Sequence, residues 1–108
     1  MFLIEKIFDA VLITPIGEID LKCQATFAQV LDVAGRNGGR VIVSFERCAY
    51  ADTATLNALA TAYRSLDSRL VLVVPITSFL RRVLAVAGFD KVVIICSILE
   101  YALPNRVA

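Results

Sequence analysis

Two short motifs carry polar side chains at positions where this chain could do chemistry. Gly17-Glu18-Ile19-Asp20 precedes a segment of helical spacing, and Tyr50-Ala51-Asp52-Thr53-Ala54-Thr55-Leu56 opens a second one. Asp52 is a candidate helix N-cap, because its carboxylate can accept hydrogen bonds from the unpaired amides of a first turn. Thr53 and Thr55 place two hydroxyls in that turn, where the free amides and the helix dipole favour an anion such as a phosphoryl group. The motif predicts a regulatory phosphosite or a recognition surface, with a purely structural cap as the alternative.

The composition argues against several kinds of active site. Histidine is absent from the 108 residues, which removes the usual general base and the commonest metal ligand. Neither glycine-rich phosphate-loop signature occurs. Cys23, Cys48 and Cys96 are odd in number and far apart, and we interpret them as small buried residues of a reducing compartment. We therefore expect no metal and no cofactor. Asp20 and Asp52 could form a catalytic carboxylate pair only if the fold brings them together. An enzyme is therefore an alternative that depends on the fold.

The charge and the hydropathy of the chain argue against nucleic acid as a partner and against insertion into a membrane. Eleven basic residues against ten acidic ones give a net charge of +1, which provides no electrostatic field for nucleic acid. The uncharged stretch Leu70 to Leu80, which no other uncharged stretch exceeds in length, contains Pro75 and is shorter than the roughly 18 apolar residues that a membrane-spanning helix needs. Residues 1–7 lack a signal-peptide pattern, so we expect a cytoplasmic location. The 58% apolar content instead predicts strands buried on both faces, a docking surface, or both.

The remaining sequence predicts the elements that position these motifs. Apolar runs typical of buried strands recur at Val11 to Ile16, Val41 to Phe45, Leu70 to Val74 and Val92 to Ile95. Helical spacing predicts one helix ending near Gly35, a second starting after Asp52, a third from about Thr77 to Gly88, and a short last piece, Ile98 to Leu103, closed by Pro104. The amino-terminal residues suggest a hairpin that turns at Asp9 and Ala10. This alternation predicts an α/β layer fold in a single compact domain, with at least partly parallel strands.

The second helix is predicted to present two different faces. Leu56, Leu59, Tyr63 and Leu66 share one face at helical spacing and should pack on the sheet. The opposite face then consists of small, uncharged side chains: Ala54, Asn57, Ala58, Thr61 and Ser65. An ordinary exposed helix face would carry more Glu and Lys. Small side chains allow a partner to approach closely, so we predict that this strip is a contact surface.

The order of these motifs resembles the STAS domain, which is shared by bacterial anti-sigma factor antagonists and the cytoplasmic tails of sulfate transporters. VLITPIGEID (residues 11–20), VIVSFERCAYADTATL (residues 41–56) and FLRRVLAVAGFD (residues 79–90) are similar to its successive landmarks. The resemblance extends from about Phe2 to Leu103. It implies a single STAS-like domain over residues 1–108, with a mixed sheet of four or five strands and about four helices packed mainly on one face.

The resemblance also implies a role for the Asp52 motif. In antagonist members, the second serine of Asp-Ser-Ser-Gly is phosphorylated by the partner anti-sigma factor, and the phosphate releases the antagonist. Asp52 matches the aspartate, Thr53 the first serine, Ala54 the acceptor serine and Thr55 the glycine. Alanine has no oxygen to phosphorylate, so the switch is either lost or moved to another hydroxyl, with Thr53 or Thr55 as possible acceptors.

Together these observations predict a non-enzymatic, cytoplasmic STAS regulatory protein that binds an anti-sigma factor or serine-kinase-type partner. The predicted contact residues surround the start and outer face of the second helix: Asp20, Asp52, Thr53, Ala54, Thr55, Asn57, Ala58 and Thr61. The alternative is a STAS subunit of a membrane-associated lipid or anion transport complex. A homodimer is open as well, whereas nucleic-acid binding and membrane insertion are not expected.

Overall fold

The structure is a computed structural model, and it describes residues 1–36 and 38–103, without the side chain of Leu21. Within these residues, seven strands and four α-helices follow one another. The strands are β1 (Phe2–Ile7), β2 (Ala10–Pro15), β3 (Gly17–Ile19), β4 (Val41–Ser44), β5 (Cys48–Ala51), β6 (Leu70–Val73) and β7 (Ile94–Cys96). The α-helices are α1 (Gln24–Gly35), α2 (Thr53–Leu66), α3 (Phe79–Val86) and α4 (Leu99–Ala102).

Five of the strands form the main sheet in the order β1-β2-β4-β6-β7. β1 is antiparallel to β2, and the remaining neighbours are parallel. Every residue of β2, β4 and β6 is buried, because helices cover both faces of a parallel sheet and its strands are continuous apolar runs. The predicted α/β fold with a mixed sheet is confirmed.

Two apolar clusters lie on opposite faces of this sheet. The larger one includes Phe27 of α1, Leu59 of α2 and Leu84 of α3. The smaller one lies under α4 and includes Ile42 and Ala102. Three of the four helices therefore pack on one face, as the resemblance implied.

Several predicted boundaries shift by one or two residues. The first hairpin turns at Phe8 and Asp9, because Ala10 is buried and pairs with Ile7. α3 begins two residues late, since the Ser78 hydroxyl oxygen accepts from the Leu80 amide at 3.2 Å and caps the helix there. Ala87 is exposed although it has helical spacing with the buried Leu80 and Leu84. Pro104 lies outside the described residues. Within the described part of the chain, no helix is both long and apolar enough to cross a membrane.

The sequence did not predict the second sheet, a parallel pair formed by β3 and β5. Each strand follows a main-sheet strand, β2 and β4 respectively, and each ends immediately before one of the two aspartates. This small sheet determines where the candidate site lies.

Candidate functional site

The candidate site lies at the carboxyl ends of the parallel strands. Ile19 of β3 and Ala51 of β5 are register partners, so Asp20 and Asp52 leave the small sheet side by side. Asp20 enters a short 3₁₀ turn before α1, and Asp52 enters α2. The two motifs that the sequence singled out, more than thirty positions apart on the chain by their numbering, are brought together by this pairing.

Both aspartates use their carboxylates to cap turns. The Lys22 amide donates to Asp20 Oδ1 at 3.0 Å. Asp52 Oδ1 accepts from the Ala54 amide at 3.1 Å and from Gln24 Nε2 at 2.8 Å. The predicted cap at Asp52 is confirmed, and its second bond joins the start of α1 to the start of α2. Each carboxylate therefore has a structural task, and no group of three or more metal-ligating residues occurs within residues 1–36 and 38–103.

Thr55 lies in the interior. It is fully buried, and its hydroxyl oxygen accepts from Gln24 Nε2 at 3.3 Å. The buried face of α2 consists of Thr55, Leu59, Ala62 and Leu66. This face is rotated slightly from the predicted one, since Leu56 and Tyr63 are only half-buried. A partner or a kinase cannot reach the Thr55 hydroxyl in this conformation, so Thr55 leaves the candidate surface.

The other predicted contact residues lie at the surface. Thr53, Asn57 and Thr61 are exposed, and Ala54 and Ala58 are half-buried. None of these five carries a charge. They form a continuous path of small and neutral side chains from the first turn of α2 along its outer face, and we call this path the α2 strip.

A groove of about 400 Å³ runs beside the α2 strip, between α1 and α2. Leu31, Ala62 and Leu66 are buried beneath it. Ala28 borders it from α1. At one end, the Arg69 guanidinium donates to the carbonyl oxygens of Gly35 at 3.3 Å and Gly39 at 3.0 Å. The sequence showed the α2 wall of this groove but not its α1 wall, because periodicity in one helix does not reveal which helix packs beside it.

Exposed apolar side chains that the sequence did not predict lie at the same edge of the sheet. Tyr50 of β5 and Phe79 of α3 stack with their ring centroids 6.5 Å apart and their planes at 19°. Ile76, in the loop before α3, is 72% exposed. The position of Tyr50, two residues before Asp52, was the one available signal. Exposed aromatic residues grouped in this way are typical of protein contacts.

The polar and thiol groups near β5 are held within the fold. The buried Ser44 hydroxyl donates to Glu46 Oε1 at 2.9 Å. Cys48 Sγ donates to the Tyr50 carbonyl oxygen at 3.3 Å. Burial raises the pKa of the Cys48 thiol, and the hydrogen bonds with the backbone of Tyr50 and Ile19 oppose that shift in part. All three cysteines are free, and they are half-buried rather than fully buried as predicted.

A sequence model described as "Mlab, STAS domain" matches residues 6–99, which includes both aspartate motifs and the first three α-helices. The chain belongs to the STAS domain family. The resemblance drawn from the three sequence landmarks is thus confirmed at the level of the family.

Solved structures share this STAS fold at low sequence identity. An anti-sigma factor antagonist from Mycobacterium paratuberculosis is 20% identical, with a TM-score of 0.80 over 94% of this chain and 89% of that one. A putative antagonist from Thermotoga maritima is 19% identical, with a TM-score of 0.82 over 94% and 90%. The phosphorylated form of SpoIIAA from Bacillus is 20% identical, with a TM-score of 0.69 over 94% and 96%. No curated protein matches this chain.

Proposed function

We propose that this STAS protein is a non-enzymatic, cytoplasmic binding module that holds a protein partner against the first turn of α2 and the α2 strip. The observation that carries the proposal is the uncharged path from Thr53 to Thr61, which adjoins the α1–α2 groove at one side. The exposed Tyr50 and Phe79 rings lie at the same edge of the sheet and extend the contact surface. Small neutral side chains beside aromatic anchors suit a partner that packs closely.

The proposed contact is not released by phosphorylation at residue 54. Ala54 has no hydroxyl, and the Thr55 hydroxyl is buried and bonded to Gln24. A phosphate would add about −1.5 to −2 charges at pH 7 to this neutral surface. Thr53 is exposed and is therefore the acceptor that a relocated switch would use.

An anti-sigma factor with serine kinase activity is the leading candidate partner. The fold is shared with structures named as anti-sigma factor antagonists. Asp52, which caps α2, matches the aspartate of the Asp-Ser-Ser-Gly motif in the sequence resemblance. In this interpretation the chain binds such a partner and is not released by phosphorylation, unless Thr53 is the acceptor.

A permanent subunit of a membrane-associated lipid or anion transport complex is the second candidate. The missing hydroxyl at position 54 favours it, because a subunit that stays bound needs no charge-driven release. The two candidates use the same surface and differ in the lifetime of the contact.

Capture of the native partner with a surface variant tests the proposal. Ala54→Glu places a negative charge in the first turn of α2, where the helix dipole tolerates an acid, and we expect it to weaken partner capture at least about tenfold. Val86→Glu is the matched control, because Val86 is 84% exposed on α3 and lies outside the α2 strip. Equal capture by the wild-type chain and both variants would refute the contact surface.

Intact mass spectrometry of the captured complex tests for a relocated switch. Phosphate on Thr53 in part of the population indicates a switch. One unmodified mass under all growth conditions excludes the switch, and the identity of the captured partner then separates an anti-sigma factor bound without phosphate from a permanent transport complex.

A further inference from the structure

β1 is the edge strand of the main sheet, and its pairing with β2 shows which backbone groups remain free. The Ile16 amide donates to the Met1 carbonyl oxygen at 2.8 Å, and antiparallel pairs alternate between hydrogen-bonded and non-hydrogen-bonded. Odd-numbered positions of β1 therefore bond to β2, and the backbone N–H and C=O of Phe2, Ile4 and Lys6 point away from the sheet. The register partner of Phe2 is Pro15. Proline has no backbone N–H, so its place in a non-hydrogen-bonded pair is consistent with this assignment.

The side chains of the same three residues lie on the helix side of the sheet. Phe2 stacks on Phe27 of α1, with ring centroids 5.5 Å apart. Ile4 is 54% exposed and borders a groove of about 490 Å³ between β1 and α1. Val33, on the opposite wall of this groove, is 50% exposed. A free strand edge thus lies directly beside an exposed apolar groove, which is the arrangement that proteins use to accept an added strand.

The pattern of β1 indicates which strand would be added. Suppose that a second copy of β1 pairs antiparallel with the first about a two-fold axis at Ile4. Ile4 then faces Ile4 of the other copy, Phe2 faces Lys6 of the other copy, and each outward N–H of one strand meets an outward C=O of the other. In this register Glu5 faces Leu3 of the other copy, so no like charges are directly opposed. An axis at Glu5 or at Lys6 would place identical charges opposite each other, which destabilises strand pairs. An axis at Leu3 also avoids like charges but pairs only Phe2 and Ile4, whereas an axis at Ile4 pairs all three outward residues. The register about Ile4 therefore makes the most hydrogen bonds without opposing like charges.

We propose that two copies of this chain associate through their β1 strands, antiparallel about Ile4, to form one continuous sheet. The contact is isologous, as in most homodimers. The two β1–α1 grooves meet across the axis, which removes Ile4 and Val33 of each copy from water. The β1 edge is separate from the α2 strip, so a test of the dimer does not depend on whether the proposed function is correct.

Sedimentation of the full chain over a range of concentrations tests this proposal. We expect a reversible dimer in the wild-type protein. Ile4→Pro removes the outward N–H at the axis while sparing the bonds between β1 and β2, and proline is tolerated at such edge positions. We expect it to weaken association at least about tenfold. Val33→Glu should also weaken association by opposing two charges across the grooves, whereas Val86→Glu, on α3, should not.

Disulfide formation tests the register. Ile4→Cys places one new thiol of each copy at the axis, so mild oxidation should join residue 4 to residue 4 in a product that peptide mass spectrometry identifies. Ile98→Cys, exposed before α4, is the control and should not link to itself.

Two results would overturn the proposal. One is a wild-type chain that stays monomeric at every concentration. This result would also overturn the proposal if a different protein were found to bind the β1 edge. The other is a dimer that resists Val33→Glu and forms no link between residues 4. Should Ile4→Pro fail to fold by circular dichroism, the Val33→Glu variant and the cross-link decide the question.

Discussion

Asp52 is the residue that does most to organise the candidate site. Its Oδ1 accepts from the Ala54 amide and from Gln24 Nε2, so a single carboxylate oxygen caps α2 and ties it to α1. The cap was predictable from local sequence, because an aspartate preceded a segment of helical spacing. Gln24 was not predictable, since its contact with Asp52 depends on the register of β3 and β5 rather than on any local pattern.

Gln24 should matter more to stability than the threonine that it bonds. Gln24→Ala leaves the fully buried Thr55 hydroxyl without the Gln24 donor and removes the side-chain donor to Asp52, so we expect a loss of about 1–2 kcal/mol in the free energy of unfolding. Thr55→Val removes the hydroxyl itself and keeps the Gln24 bond to Asp52, and it should cost less. Urea unfolding of the two variants measures the difference, and the reverse order would contradict the role of Gln24.

The Cys48 thiol should make stability depend on pH in the alkaline range. Burial raises the pKa of this thiol in the folded state, so the folded chain keeps the proton at pH values where the unfolded chain has lost it. The stabilisation is fully present below the unfolded pKa of about 8.5 and is lost as pH rises through the folded pKa. The free energy of unfolding should therefore fall more steeply above about pH 8.5 in the wild type than in Cys48→Ala. Parallel pH curves would contradict this expectation.

At the scale of elements, α2 shows what periodicity can and cannot predict. The leucines predicted an amphipathic helix starting after Asp52, and that prediction is confirmed. Thr55 and Ala62 nevertheless occupy the inner face, because the inner face packs against α1, where small side chains fit. The small sheet was missed for a different reason. β3 and β5 have three and four residues, too few for a periodic signal.

The exposed end of α3 should contribute to partner binding more than to folding. Phe79→Ala removes one ring of the Tyr50–Phe79 pair, and we expect weaker partner capture, because aromatic anchors dominate protein interfaces. The free energy of unfolding should change by less than about 1 kcal/mol, as for other exposed side chains. Val86→Ala, near the other end of α3, is the matched control for both measurements. Loss of stability without loss of capture would assign the ring pair to the fold instead.

At the scale of the whole molecule, the order of elements was the most predictable property. Alternating apolar runs and helical segments predicted the α/β class, and the three sequence landmarks predicted the family that the match over residues 6–99 confirms. Contacts between distant turns were not predictable. Gly39, before β4, lies so close to the Asp9 carbonyl oxygen of the first hairpin that a Cβ at position 39 would overlap it.

This contact predicts a difference between two neighbouring glycines. Gly39→Ala forces the overlap with the Asp9 backbone, and we expect it to cost at least about 2 kcal/mol. Gly38→Ala should cost less, about 1 kcal/mol, because position 38 has a positive φ of 81° but open space around it. Thermal unfolding of both variants tests the prediction, and equal losses would contradict it.

Hydrogen exchange of the chain in its native complex tests the central claim most directly. Amides of residues 50–62, in β5 and the first turns of α2, should exchange more slowly in the complex than in the free chain. Protection that leaves this segment unchanged and lies elsewhere on the molecule would contradict the assignment of the α2 strip as the partner surface.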